Sequence, residues 1–287
     1  MEKATGTVRE RAQQLKEKRP GYGEILDFYS KVKELQGQSK SSLKMDPIKI
    51  EKERKDLLAK EDFPLIEKES FPLDIEASIQ LFWSLCQIGK AANPHMALQA
   101  EKIGEAITNT KIDLKKLFKG GVKEQKIEQV AAESGFDKNI FSFFIHSSIR
   151  PSIEAGMEQL RGELDPETRR KSHCPVCGSL PSLSLLKGEE GKRYLLCSCC
   201  GYQWRADRLS CPVCNNTDQG SLQYFCGEGE DACRIDLCDT CHHYIKTIDY
   251  RSLEESDPSL EDLATLHLDV LAAQKGYRRA VPNPWTA

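Results

Sequence analysis

The chain has 287 residues, of which 39% are hydrophobic and 30% charged, enough apolar material to build a packed core and too much for wholesale disorder. Its length allows one large domain or two ordinary ones, and two are expected. Forty-one Lys+Arg against forty-four Asp+Glu leave a formal charge of -3, so no global positive field draws in phosphate backbones, and nucleic acid is not an expected partner.

The opening MEKATGTVRERAQQLKEKRP is charged and lacks the apolar run of a secretory signal, which predicts a cytoplasmic location. Ile25, Phe28, Tyr29, Val32 and Leu35 recur at helical spacing, as do Ile75, Ile79, Phe82 and Cys86. Between these two helices, residues 36–60 are polar and rich in Ser and Lys, and read as a linker or mobile arm with short helical pieces. Further helices are expected near 94–107, 112–118 and 122–134, punctuated by Gly120-Gly121 and Gly135. The segment 136–164 carries Phe141, Phe143, Phe144, Ile145 and Ile149 and reads as the central buried helix, which Pro151 should kink or split. The most apolar stretches, 79–88 and 140–149, fall short of the roughly 20 residues a membrane helix requires, so no membrane span is expected. Near the C-terminus Asp257 is a plausible N-cap with Pro258 at the first helical position, Leu260, Leu263, Leu266 and Val270 form a stripe, and Gly276 supplies a stop.

Twelve cysteines divide the sequence: Cys86 stands alone, and eleven lie between Cys174 and Cys241. Without an export signal, such a cluster points to metal binding or redox work in place of structural disulfides. Four Cys-x-x-Cys pairs occur in order, Cys174/Cys177, Cys197/Cys200, Cys211/Cys214 and Cys238/Cys241. Two intervening residues let both sulfurs of a pair turn toward one ion while backbone N–H groups offset the thiolate charge. Gly178 and Gly201 follow their pairs where a tight turn favours positive φ; Asn215 tolerates that conformation, and His242 fits it less easily. Joining consecutive pairs gives one tetrahedral site from Cys174, Cys177, Cys197 and Cys200 and a second from Cys211, Cys214, Cys238 and Cys241, with an interleaved pairing as the alternative. The insert between the first two pairs, with turn residues around 189–191, reads as two short strands. Four thiolates suit zinc or iron equally, so two ions of either metal fit the ligand list.

Cys199, inside CSCC, reads as a bystander, and Cys226 and Cys233 bracket CGEGEDAC as two free thiols or a reversible disulfide. His173, His242 and His243 flank ligand cysteines and are expected to support them without ligating. No Ser-His-Asp arrangement, phosphate loop or zincin helix is present, and a four-cysteine shell leaves no open position for substrate, so the chain does not read as an enzyme. Arg208, Lys246, Arg278 and Asn283 are candidates for a partner surface, with ordinary solvated surface an equal reading. The organisation expected is α+β: a helical domain over 1–170, two rubredoxin-like or zinc-ribbon lobes over 171–252, and a closing helix and tail over 253–287.

The runs CPVCGS from Cys174, RYLLCSCCGYQW from Arg193, Arg208 followed by CPVC, Tyr224-Phe225, CDTCHHYIK from Cys238 and DLATLHLDVLAAQKGYRR with PNPW from Asp262 resemble the formate dehydrogenase accessory protein FdhE family. The resemblance covers the second half closely and the helical half more loosely, including Arg150-Pro151. It implies a cytoplasmic accessory factor that binds iron in paired rubredoxin-like sites and contacts the molybdenum- or tungsten-containing catalytic subunit of respiratory formate dehydrogenase; self-association is left open. Cys199, the CGEGEDAC loop and His242 depart from the family's pattern. A stand-alone rubredoxin-like electron carrier is the alternative, and a nucleic-acid-binding zinc ribbon is disfavoured by the acidic balance.

Overall fold

The computed structural model describes residues 7–61, 63–119, 121–168 and 172–285. In chain order the helices are α1 (Val8–Lys18), α2 (Gly23–Ser41), α3 (Lys52–Glu61), α4 (Ile75–Gly89), α5 (Pro94–Thr108), α6 (Leu114–Phe118), α7 (Glu124–Ser134), α8 (Lys138–Leu160), α9 (Pro258–Leu263) and α10 (Leu266–Gln274). The strands are β1 (Pro181–Lys187), β2 (Lys192–Cys197), β3 (Gln203–Arg205), β4 (Leu222–Cys226), β5 (Cys233–Cys238), β6 (His243–Asp249) and β7 (Arg278–Arg279). The fold is α+β, with a helical N-terminal part, a C-terminal sheet and closing helices. Its described residues form two compact units, one from those within 27–50, 66–161 and 284–285, the other from those within 7–26, 51–65 and 162–283.

In the helical unit α8 is the spine. The Asp137 side chain caps it by accepting from the Asn139 and Ile140 N–H groups, and its buried residues include Phe141, Phe143, Phe144 and Ile149, packed against α4, α5 and α7. Pro151 lies inside this helix without splitting it. Proline has no N–H to give the carbonyl four residues back, that of Ser147. Gln36 supplies the missing donor: its buried side-chain amide donates to the Ser147 oxygen at 2.9 Å. The helix therefore runs on through Pro151 and is not split there. This also explains why residue 36 is not the start of a linker. The segment 36–60 instead holds the end of α2 and most of α3, and the buried face of α2 is Leu26, Tyr29, Val32 and Gln36. Trp285 joins the same unit, its ring packed edge-on against Tyr29 at 4.7 Å and Phe143 at 5.0 Å between centroids.

In the second unit one seven-stranded sheet runs β3-β2-β1-β6-β5-β4, with β7 alongside β6. Each half is an antiparallel meander, and the two join through a parallel pairing of β1 with β6. Alternation along the strands sends Leu183, Leu185, Ile235, Leu237, Tyr244 and Ile248 to one face, where Leu268 and Ala272 of α10 cover them. The expected single closing helix is two helices that part at Ala264-Thr265, where Thr265 leaves helical geometry at φ -130° and ψ 32°. The carbonyls at the break, which also accept main-chain N–H groups, are met by the Lys246 ammonium, 2.9 Å from the Asp262 oxygen and 3.1 Å from that of Thr265.

That ammonium is fully buried and also meets the Asp262 carboxylate at 2.8 Å and Asp269 at 2.6 Å, while Arg279 grips both acids. Burial opposes the Asp262 charge, but Lys246 and Arg279 outweigh it and hold this carboxyl below its usual range.

Helices α1 and α3 belong to this unit, not to a helical domain running to residue 170. Arg11 pairs with Glu261 at 2.6 Å, Arg19 donates to the Ala264 carbonyl at 3.0 Å and pairs with Glu230, and the Leu65 N–H donates to the Pro175 carbonyl at 2.9 Å. In sequence these arginines look like solvated charges; their partners lie more than two hundred residues away. The expected boundary at 170/171 and Gly120 lie outside the described residues.

Candidate metal centres

The eight knuckle cysteines come together as two groups, Cys174, Cys177, Cys197, Cys200 and Cys211, Cys214, Cys238, Cys241, the sulfurs of each lying within 4.8 Å of one another. Consecutive pairs, not interleaved ones, face each other. In the first group Cys177 Sγ lies 3.4 Å from that of Cys197 and 3.7 Å from that of Cys200, with Cys174 to Cys200 at 3.6 Å; in the second Cys211 to Cys241 and Cys214 to Cys238 are both 3.7 Å. Four sulfurs held about 2.3 Å from a common centre in a tetrahedron would stand about 3.8 Å apart. The donor sets thus fit a thiolate-bound metal ion.

Each knuckle is built the same way. The N–H two or three residues past the first cysteine turns inward, seen as Cys200 N–H on Cys197 Sγ and Val213 N–H on Cys211 Sγ, both at 3.4 Å. The residue after the second cysteine folds back by donating to the carbonyl of the first, at 2.8 Å for Gly178, 3.0 Å for Asn215 and 2.9 Å for His242. That return needs left-handed backbone, and Gly178, Gly201, Asn215 and His242 have φ of 74°, 72°, 60° and 53°. A side chain at such a φ is disfavoured, so the second site carries strain at Asn215 and His242 that the glycine-built first site avoids.

Burial separates the two. All four cysteines of the first group are buried, whereas Cys214 is exposed and Cys241 half-buried. In the first group burial pushes the Cys174 thiol well above its ordinary range, while Cys177, accepting from Cys174 and then Cys197, is driven far below. In the second, burial pushes Cys211 up to about 11; at Cys238 burial is outweighed by the N–H groups of Cys241 and Thr240, which bring the thiol down to about 7. Asn216 adds to the second group, its side-chain amide 3.7 Å from Cys238 Sγ and 2.7 Å from Ser221 Oγ. Sequence reasoning passed over Asn216; the Asn-Asn pair after CPVC is the only signal for it.

The leftover thiols take separate places. Cys199 is half-buried and interacts with Cys177 but belongs to neither group. Cys226 pairs across the ladder with Arg234, so Cys233, one residue before Arg234, points to the opposite face. Cys226 is exposed, and Cys233 sits in the core with its thiol pushed up by burial to about 12. A disulfide between them would have to pass through the sheet, which rules out the reversible bridge. His173 bonds to Ser172, His243 bonds to the Cys241 carbonyl, and the His242 ring packs on Tyr277; none is within either sulfur group. Of the polar residues considered for a partner surface, Arg208 and Arg278 are exposed, but Lys246 is buried and Asn283 bonds to Asp262 at 3.2 Å.

Two four-cysteine knuckle pairs on one sheet, closed by helices and joined to a helical part, define a class of paired rubredoxin-like metal-site proteins. Residues 173–208 match the family model described as FdhE, central domain, and residues 209–286 that described as FdhE, C-terminal domain. A protein FdhE homolog of Aquifex aeolicus is 28% identical over 273 residues, covering 94% of this chain and 90% of that protein. Protein FdhE of Escherichia coli is 36% identical over 123 residues, 40% of this chain and only 38% of that protein's length. The crystal structure of the FdhE protein from Pseudomonas aeruginosa shares the fold, with a TM-score of 0.67 at 22% identity over 97% of this chain and 93% of that one. Over residues 173–286 the chain is similar to the FdhE family, and its fold is that of the FdhE structure.

Proposed function

We propose that this protein is an accessory factor for the assembly or activation of respiratory molybdenum- or tungsten-containing formate dehydrogenase. It binds the catalytic subunit in the cytoplasm through the two-site cysteine module, and it performs no catalysis of its own. The observation that carries this reading is the pair of four-sulfur groups on one sheet, in the stretch that the two FdhE domain models cover. Cys174, Cys177, Cys197 and Cys200 would hold one ion and Cys211, Cys214, Cys238 and Cys241 the other. Iron held this way would supply one-electron chemistry, and zinc a fixed scaffold. Four thiolates fill each shell, which suits recognition and not turnover of a substrate on the metal. No helix among the described residues is long and apolar enough to cross a membrane.

The test is a tagged pull-down from cells grown anaerobically on formate, with metal analysis of the purified protein. Retention of the catalytic subunit, lost when the knuckle cysteines become serine, supports the reading. Absence of that subunit after mild crosslinking sinks it and favours the electron carrier, for which the exposed Cys214 offers a route.

A further inference from the structure

Strand β4 ends the sheet, and the alternation of its ladder shows which main-chain groups face outward. The Asp239 N–H donates to the Ser221 carbonyl at 2.9 Å, so residues 221, 223 and 225 spend their main-chain groups on β5. Those of Tyr224 and the N–H of Cys226 are left on the open edge, with no backbone partner among the described residues. Edge strands are commonly protected by a lysine, a proline or a bulge; LQYFC contains neither residue, and its register with β5 is unbroken.

The face beside this edge is unusual in two respects. Leu209 at 60% and Tyr224 at 65% are the most exposed large apolar side chains among the described residues, and both line one recess of about 90 Å³. Arginines surround the same recess: Arg208, Arg234 lying over the Tyr224 ring at 4.9 Å, and the buried Arg193. Its one carboxylate, Asp236, is already engaged by the Thr247 hydroxyl at 2.6 Å and Arg234 at 2.8 Å. Arg193 Nη2 has no hydrogen-bond partner, with Asp236 Oδ2 3.7 Å away. The four thiolates of the second cysteine group also bring negative charge to one side of the recess, so what is left for an acidic group is local: the unpartnered Arg193 Nη2 and the exposed Arg208 guanidinium.

We propose that the β4 edge receives an extended acidic segment of a protein partner as an added strand. Its main chain pairs with Tyr224 and Cys226, one apolar side chain packs on Leu209 and Tyr224, and a neighbouring carboxylate meets the arginines. The recess is also lined by Cys211 and Cys238, so the segment would lie against the second cysteine group. This inference rests on the accessory-factor reading and assigns that factor's docking site.

Two full-length variants test it. Tyr224→Pro removes an outward N–H together with the ring that lines the recess, at a position where an edge strand tolerates proline. Arg208→Glu combined with Leu209→Asp leaves the ladder untouched. The probe is the purified formate dehydrogenase catalytic subunit, with metal content of each variant checked first. Each variant is expected to weaken binding at least about tenfold, as loss of a central anchor does, and the Tyr224 and Cys226 amides should gain hydrogen-exchange protection in the wild-type complex. Variants that bind like wild type, or amides that gain no protection, overturn the docking site and leave the accessory reading standing. If the wild type itself does not bind, both fall. If Tyr224→Pro turns a dimer into a monomer while partner binding is unchanged, the edge pairs with a second copy and the proposal fails. Should Tyr224→Pro lose its metals, the surface double variant decides alone.

Discussion

The two cysteine groups share ligand chemistry, knuckle design and sheet, yet differ in what surrounds them. The first is sealed, with glycines at both left-handed positions, and lies on the antiparallel meander whose strands bury Leu195 and Trp204. The second carries Asn215 and His242 at those positions and leaves Cys214 open to solvent beside the β4 edge. Identical donors set in unlike shells teach that spacing defines a site's ligands, while burial defines its task. The sealed group is closed to solvent, and the open one is accessible at Cys214.

The largest expected effect comes from replacing the sealed set. Cys174→Ser with Cys177→Ser should release one ion and abolish the thermal transition of the sheet unit, since thiolate-metal binding contributes roughly 10 kcal/mol or more of folding free energy in small sites. A calorimetric trace like wild type would break the comparison. Cys214→Ser should also release one ion but leave the helix and sheet signals of circular dichroism largely intact. In intact protein, a chelator followed with a colorimetric metal indicator should remove metal in two phases, and the fast phase should vanish in Cys214→Ser.

Asp262→Asn should come next, at about 3–5 kcal/mol, because it leaves Lys246 and Arg279 buried beside a neutral group. Lys246 lies on β6, the strand that joins the two meanders, so both groups should become chelator-sensitive together and the difference between them should shrink. The carboxyl's lowered pKa carries a sign. A depressed acid stabilises above its unfolded pKa, so the wild type should lose this contribution as pH falls through the acidic range, and Asp262→Asn should lose that acid limb.

Gln36→Leu should cost about 1–3 kcal/mol in urea denaturation by stranding the Ser147 carbonyl beside Pro151. Because Gln36 is in the helical unit, the order of metal release from the two groups should not change. The smallest effect is expected at Cys226. Cys226→Ser should alter stability by less than about 0.5 kcal/mol. It should also remove a fast alkylation event at neutral pH, whereas Cys233, with its thiol pushed up to about 12, stays unlabelled in the folded chain. Mass spectrometry after mild oxidation should find no Cys226–Cys233 bridge.

The ligand groups were legible because Cys-x-x-Cys encodes a local turn, and a local turn can be read from a few neighbouring residues. The same holds for the hairpin of β1 and β2, the Asp257-Pro258 helix start and the long apolar run of α8. What escaped reading depends on partners distant in sequence. Gln36 looks like one more polar residue in a Ser/Lys-rich stretch until Ser147 is found beside it. Lys246 looks like a surface lysine until Asp262 and Asp269 close over it. Arg11 and Arg19 mark a helix that packs with residues past 230. The fate of Cys226 and Cys233 turned on strand register, which an acidic loop between two cysteines does not encode.

Trp285 packs with Tyr29 and Phe143, yet every residue of the metal module stands between Phe143 and Trp285 in sequence. Synthesis on the ribosome proceeds from the N-terminus, so the helices emerge early while the aromatic nest still lacks its last ring. The nest closes only after both sets of cysteines have been translated and have had the chance to take up metal. The helical unit is therefore the first to begin folding and among the last to finish.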